Sequence, residues 1–373
     1  MFLHSSKIIV NYFSYDVYNL NKICYTFKRI LLKDVVNYTP LLKKCKPQNK
    51  RMIDFYTEKM KENTLFYLEK AKGTFISGED IARALGVSRM SVSKAVTELK
   101  KEGAVIESST KCGYRLIKST DRLYAESVRA HLKRDLNVYC YESIGSTNEE
   151  AKIKAAEGAG HGTVIIAEAQ TAGRGRFGRK FYSPSQSGLY MSVIIKPSSL
   201  TDGVMYTVAA AVALRRVIGE YTGNAMIKWV NDIYINERKV CGILCEAVSD
   251  LESGQLSAVI CGIGVNLTVP DGDFPDDIKD KAGVISSNPV DKGEFAARVA
   301  DTLLEILSLN SEDIIREYDE YMMLRGREIY YDKNGESCHG IVLGTDSSGG
   351  LIVKTNSSEY EILRSGEVRL EKF

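Results

Sequence analysis

The stretch Gln170–Pro184, QTAGRGRFGRKFYSP, sets Arg174, Arg176, Arg179 and Lys180 among Gly173, Gly175 and Gly178. Glycines let backbone N–H groups approach a ligand closely. Arginines engage planar carboxylate or phosphate groups at two points, which lysine cannot do. Cations this dense repel one another unless an anion joins them. The pattern therefore predicts a loop that is mobile when empty and ordered by an anionic ligand; the plain alternative is a solvated basic surface loop. It is not a P-loop, because no GxxxxGK[ST] occurs. Gly-Arg tracts that bind RNA are longer and lie in disordered segments.

Three more stretches hold groups that bind ligands. In IKWVND, residues 227–232, Lys228 interrupts an apolar strand, and burying an ammonium is costly unless it meets an anion. An edge-strand lysine in water is the competing reading. Trp229 then points to the other sheet face, since neighbours on a strand alternate. In SIGSTNEEA, residues 143–151, Ser146, Thr147 and Asn148 either cap a helix starting near Glu149 or offer hydroxyl and amide groups to an uncharged polar ligand. In GIGVNL, residues 262–267, a glycine-bearing strand ends at Asn266, where a nucleotide can approach the backbone.

Other chemistries are thinly supplied. The eight cysteines form no CxxC pair, and the four histidines are scattered, so no structural metal cluster is expected. The thiols read as reduced and mostly buried, as in a cytoplasmic protein. No apolar run reaches the ~18–20 residues that span a bilayer, and no signal-peptide pattern opens the chain. The net charge of +2 leaves nucleic-acid binding to a local patch.

These groups need elements to hold them. The 373 residues suffice for two or three domains. Residues 1–59, rich in Tyr, Lys and Asn, carry 11 basic against 4 acidic side chains; they read as upstream sequence ahead of a natural start at Met60 or Met52, or else as a basic arm. Residues 60–117 open with a helix through Leu65, Phe66 and Leu68 and continue as a helix-turn-helix. Ser77 caps the first of its two helices with Glu79 and Asp80 at its positive end, and Gly86 stops it. Ser88 caps the second, whose buried face is Val92, Ala95, Val96 and Leu99. Its outer face shows Arg89, Ser91, Ser93 and Lys94, suited to a major groove. VIESSTKCGYRLI reads as a wing, with Lys111 and Tyr114 in reach of phosphate. A helical hairpin used only for packing is the alternative.

Residues 118–135 read as a polar linker and entry helix. Residues 136–325 alternate strands with helices, including a long helix capped by Thr201 or Asp202 and stopped by Gly223, and a hairpin turning at Asn236–Arg238. Residues 326–373 read as strands and turns, Asn334-Gly335 among them, which suggests a small SH3-like β-barrel. The whole is α+β and multidomain: a winged helix-turn-helix, a central mixed-sheet α/β domain and a small barrel.

Taken in order and at their separations, GSTN, AEAQTAGRGRFGR, IKWVNDIYI, KVCGIL and GIGVNL resemble the biotin–protein ligase family. With the helix-turn-helix before them and the barrel after, the chain from Met60 to Phe373 is similar to its bifunctional members, the biotin operon repressors. The resemblance implies a biotin pocket lined by Ser146, Thr147, Asn148 and Gln170. Arg174, Gly175 and Arg176 belong to the loop over biotin, and Lys228 meets the biotin carboxylate and the α-phosphate. Gly173, Arg176, Phe181, Lys228, Asn231, Asp232 and Asn266 serve ATP or the adenylate, with Mg²⁺ at the nucleotide end. Phe177, Phe181 and Val230 depart from the family's usual arginine, tryptophan and proline; Phe181 keeps an aromatic plane. The implied reaction joins biotin to AMP, giving biotinyl-5'-AMP, then transfers biotin to a lysine of a biotin carboxyl carrier protein. The implied regulation is operator binding by an adenylate-bound homodimer, biotinyl-5'-AMP being the corepressor. A sensor without ligase activity and a lipoate ligase are the competing classes.

Overall fold

The computed structural model describes residues 50–197, 203–250, 254–333, 336–356 and 359–370. The segment 1–49, the Thr201 or Asp202 cap and the Asn334-Gly335 turn lie outside the described residues.

Helix α1, Lys50–Lys70, starts ten residues ahead of Met60. α2, Gly78–Leu85, is capped by Ser77, whose hydroxyl accepts from Glu79 N, and ends at Gly86 with φ 64°. α3, Arg89–Lys101, begins at Ser88, whose hydroxyl accepts from Ser91 N. Strands β1, Val105–Ser109, and β2, Gly113–Lys118, pair antiparallel as a wing. Leu65, Leu68, Ile81, Val92, Val96, Leu99 and Leu116 form the core of this unit, and Tyr124 joins them from beyond the wing. The stretch after the wing is a polar linker leading into an entry helix. It holds α4, Ala125–His131, with Glu126, Ser127, Val128 and Ala130 buried, packed on α1.

The central sheet has seven strands: β3 (Val138–Ile144), β4 (Thr163–Gln170), β5 (Gly188–Ile195), β6 (Met226–Lys228), β7 (Asp232–Ile235), β8 (Arg238–Ser249) and β9 (Leu256–Asn266). Their order is β3-β4-β5-β9-β8-β7-β6, and only β3 and β4 are parallel. Helix α5, Thr147–Ala156, lies on one face. The other face is covered by α6, Gly203–Thr222, which is buried without a break from Val208 to Leu214 because α7, Lys292–Ile306, and α8, Ser311–Glu320, cover its outer side.

The last strands are β10 (Glu328–Lys333), β11 (Glu336–Thr345), β12 (Leu351–Thr355), β13 (Tyr360–Leu363) and β14 (Val368–Leu370). They form an antiparallel sheet ordered β13-β12-β11-β10-β14. Among the described residues no ladder joins β13 to β14, the pairing that would close a barrel. The YEILRSGEV stretch is two strands split at Gly366, whose φ is 116°. Ile329, Val342, Leu351 and Val353 extend the central core into this sheet. Trp229 Nε1 donates to Gly349 O at 3.0 Å, and Asp319 accepts from Thr345 N and Oγ1 at 3.1 and 2.8 Å.

Candidate active site

Side chains alternate along each strand. Cys241, Ile243, Cys261, Ile263 and Val265 pack in the core under α6. Their neighbours Gly242, Leu244, Glu246, Gly262 and Gly264 turn to the opposite face, as do Ala258 and Ile260, which pack against Ala151 of α5. Helix α5 covers only one end of this face. Beyond it the glycines leave backbone bare, and this is the floor of a cavity of about 810 Å³, a size suited to a small organic ligand. A Cβ at Gly262 would lie 2.1 Å from Asn148 Oδ1, and one at Gly264 2.4 Å from the Phe181 ring.

One wall is the basic stretch, folded as a hairpin. Gly175 N donates to Arg179 O at 2.8 Å and Phe181 N to Gly173 O at 3.0 Å, around a turn at Arg176–Gly178 with Phe177 at φ 57°. Its charge is partly met from within the chain: Arg174 pairs with Glu149 at 3.1 Å and Arg179 donates to Glu367 at 2.8 Å. Arg176 points inward, donates to Asn231 Oδ1 at 3.2 Å, and has its pKa lowered by burial against the nearby charges of Asp232 and Glu367. Phe177 is exposed.

Opposite lies Lys228, across from Asp232 on β7, while Trp229 is buried on the core side. Among the described residues no carboxylate lies within 4 Å of the Lys228 ammonium; Asp232 is taken by Lys239 at 2.7 Å, and the Lys228 Nζ stands 5.4 Å from the centre of the Tyr234 ring. Burial lowers its pKa below the ordinary 10.5, with Lys239 acting in the same direction and Asp232 and Glu367 opposing.

The third side is neutral. Helix α5 starts at Thr147, two residues before Glu149, and Ser146 occupies the cap position without a side-chain capping bond. Ser192 Oγ lies 2.6 Å from Asn148 Oδ1 and 2.8 Å from Thr147 Oγ1. An amide oxygen cannot donate, so the single Ser192 proton goes to Asn148. Asn148 Nδ2 donates to Leu244 O and Glu246 Oε2 at 3.2 and 2.6 Å. Gln170 Oε1 accepts from Thr147 N at 2.9 Å and its Nε2 donates to Ser183 Oγ at 3.1 Å. Asn148 has thus spent both its hydrogens inside the protein. The Ser146 hydroxyl and the second Nε2 hydrogen of Gln170 are the donors this wall has left.

Of the residues singled out in the sequence for this site, Ser146, Thr147, Asn148, Gln170, Arg174, Gly175, Arg176, Phe181, Lys228, Asn231, Asp232 and Asn266 line the cavity. Gly173 does not; it is buried, with Phe181 O and Ser183 Oγ against the place of its missing Cβ. Sequence reasoning missed Ser192, Glu246, Lys239 and the lining residues Glu367 and Arg369 of the terminal sheet. A lone serine inside the apolar strand GLYMSVII was the available signal for Ser192. On the winged helix, Arg89, Ser93, Lys94 and Lys111 are exposed. Ser91 is half-buried with its hydroxyl 2.9 Å from that of Ser88, and Tyr114 is half-buried against Gly78.

Comparison with known proteins agrees with this arrangement. Residues 141–266 match the biotin/lipoate A/B protein ligase family, and residues 61–115 match an HTH domain. The chain is 33% identical over 315 residues to the bifunctional ligase/repressor BirA of Bacillus subtilis, covering 81% of this chain and 96% of that one. It is 30% identical over 224 residues to the biotin–[acetyl-CoA-carboxylase] ligase of Paracoccus denitrificans, covering 56% and 90%. Among solved structures, the biotin protein ligase from Aquifex aeolicus in complex with biotin and ATP superposes with a TM-score of 0.54 at 27% identity, over 64% of this chain and 99% of that chain. At 33% identity to that ligase/repressor over 81% of this chain, and with a glycine-floored cavity between a cationic hairpin and a neutral wall behind a winged helix, the chain belongs to the family of bifunctional biotin ligase/repressors.

Proposed function

We propose that this chain activates biotin with ATP to biotinyl-5'-AMP, transfers the biotin to a lysine of a carrier domain of acetyl-CoA carboxylase, and represses transcription from operator DNA. The observation that carries the catalytic half is the asymmetry of the cavity. Lys228, with no carboxylate within 4 Å among the described residues, and inward Arg176 face a wall whose remaining donors are neutral. Such a site accepts a ligand with an anionic end and an uncharged polar end.

A carboxylate is a poor electrophile, and joining it to AMP releases pyrophosphate and crowds anionic oxygens together. Arg176, Lys228 and hairpin N–H groups stabilise that charge where it develops. Closure of the hairpin keeps water from the mixed anhydride. The carrier lysine then attacks the carbonyl, and AMP leaves. No nucleophilic serine or cysteine of the enzyme takes part.

Magnesium shields phosphate charge when bound, and it is held mostly by phosphate oxygens with one or two carboxylates. Asp232, at the Lys228 end of the cavity, would hold it once released by Lys239. Asn231 fits less well as a ligand, because its Oδ1 accepts from Arg176 and its Nδ2 donates to Ile243 O at 2.8 Å. For repression, the exposed Arg89, Ser93, Lys94 and Lys111 face the groove and backbone of DNA, in a homodimer assembled when the adenylate is bound. Ser91 and Tyr114, half-buried at the helix cap and the wing, would contribute less surface to that contact.

Incubation with biotin, ATP, Mg²⁺ and a carrier domain, followed by a streptavidin blot, tests the ligase. A labelled acceptor is expected; an unlabelled acceptor in the presence of folded protein rejects it. Excess lipoate is expected not to compete.

A further inference from the structure

We propose that Glu246 is a positioning residue, holding the Asn148 amide on the cavity floor and tying that floor to the basic hairpin through Lys152, Glu149 and Arg174. The inference rests on the ligase reading and extends it to side chains behind the lining.

The chain of contacts is continuous. Glu246 Oε2 accepts from Asn148 Nδ2 at 2.6 Å, and Glu246 Oε1 accepts from Lys152 at 2.8 Å. Lys152 also donates to Glu149 Oε1 at 3.1 Å, and the same oxygen receives Arg174 Nη1 of the hairpin at 3.1 Å. Because a carboxylate and a carbonyl only accept, Glu246, at 2.6 Å, together with the longer bond to Leu244 O at 3.2 Å, fixes which way the Asn148 amide faces. The amide oxygen is thereby turned to Ser192 and lies directly over Gly262. Burial raises the Glu246 carboxyl, but the bonds from Lys152 and Asn148 and the charges of Lys152 and Arg174 outweigh it and hold the group ionised. The weakest link is Glu149–Arg174, whose side chains are both more than 40% exposed. The Lys152–Glu246 pair is 29% exposed on each side and is screened less. Without Glu246, an Asn148 hydrogen is freed into the cavity and Lys152 loses one of its two anchors.

Glu246→Ala removes both bonds, whereas Glu246→Gln keeps an acceptor for Asn148 and removes the charge. Pyrophosphate release with biotin and ATP gives KM for each substrate, and trypsin cleavage after Arg174–Lys180, mapped by mass, reports the hairpin. Expected for Glu246→Ala is a KM for biotin raised at least tenfold, a KM for ATP within twofold, and hairpin cleavage at least threefold faster. Glu246→Gln is expected to recover most of the biotin KM but to keep the faster cleavage. Both KM values rising alike, or biotin KM and cleavage both unchanged, would overturn the proposal. If the wild-type protein releases no pyrophosphate, the ligase reading falls, and the cleavage rates still decide whether Glu246 restrains the hairpin.

Discussion

Lys228 shows what one residue costs and returns. Its ammonium is largely withdrawn from water, with no carboxylate within 4 Å among the described residues, so folding disfavours the charged form and its pKa falls below 10.5. A base whose pKa is lowered on folding destabilises the native state at neutral pH, and stability is regained as pH rises through the lowered value towards 10.5. Lys228→Met should therefore melt no lower than wild type at pH 7 without ligand, and scanning calorimetry checks this. The same variant, and Arg176→Ala, should lose about 10²–10³ in adenylate formation, measured as pyrophosphate release. With wild type, that rate should decline on the alkaline side below the pH where an ordinary lysine titrates. These two residues were legible because a lysine in an apolar strand and arginines among glycines have few bland explanations. Gly173 stands apart from the lining, packed against Phe181 O and Ser183 Oγ: spacing marks a glycine as special without saying whether a ligand or a neighbouring segment needs the room. The spending of Asn148 on Glu246 and Ser192 was not legible at all, since it joins residues about 45 and 100 positions apart.

At the scale of elements, the floor exists because β8 and β9 put glycines at facing positions, Gly242 opposite Gly264. Gly262→Ala would force Asn148 off the sheet, since the new methyl has 2.1 Å to its amide oxygen. A KM for biotin raised at least tenfold, with near-normal far-UV circular dichroism, is expected. The helix-turn-helix should respond independently: Ser88→Ala removes the cap bond to Ser91 N and should cost about 1 kcal/mol, read from urea unfolding of the winged-helix signals. Its caps, its buried faces and the Gly86 stop were all readable from the sequence, because local bonds fix them. The early start of α1, where residues 54–57 are exposed, was not, and neither was the burial of α4, which packs against both α1 and α7.

Across the whole molecule, the winged helix is fastened to the ligase body by a polar knot. Lys72 bonds Asp291, the N-cap of α7, and lies 3.9 Å from Glu69; His131 Nε2 lies 3.3 Å from the same Glu69. Glu69, His131 and Asp291 approach one another closely enough to share a cation, and the Lys72 ammonium stands among them. Lys72→Ala should speed hydrogen exchange at the end of α1 and in α4 about fivefold, a loss of ~1 kcal/mol, while leaving pyrophosphate release unchanged. The general three-part order of the chain was readable from its motifs; this knot was not, being assembled from positions 69 to 291. The terminal sheet was read as a separate barrel, yet it lends Glu367 and Arg369 to the cavity and takes a hydrogen bond from Trp229. That indole is the chain's single tryptophan. It adjoins Lys228 in sequence and reaches Gly349 in space, so the tryptophan emission of the protein arises from one site at the seam between catalytic floor and terminal sheet. Nucleotide titrations followed by tryptophan emission, excited beyond the absorbance of tyrosine, would report on that seam without any attached dye.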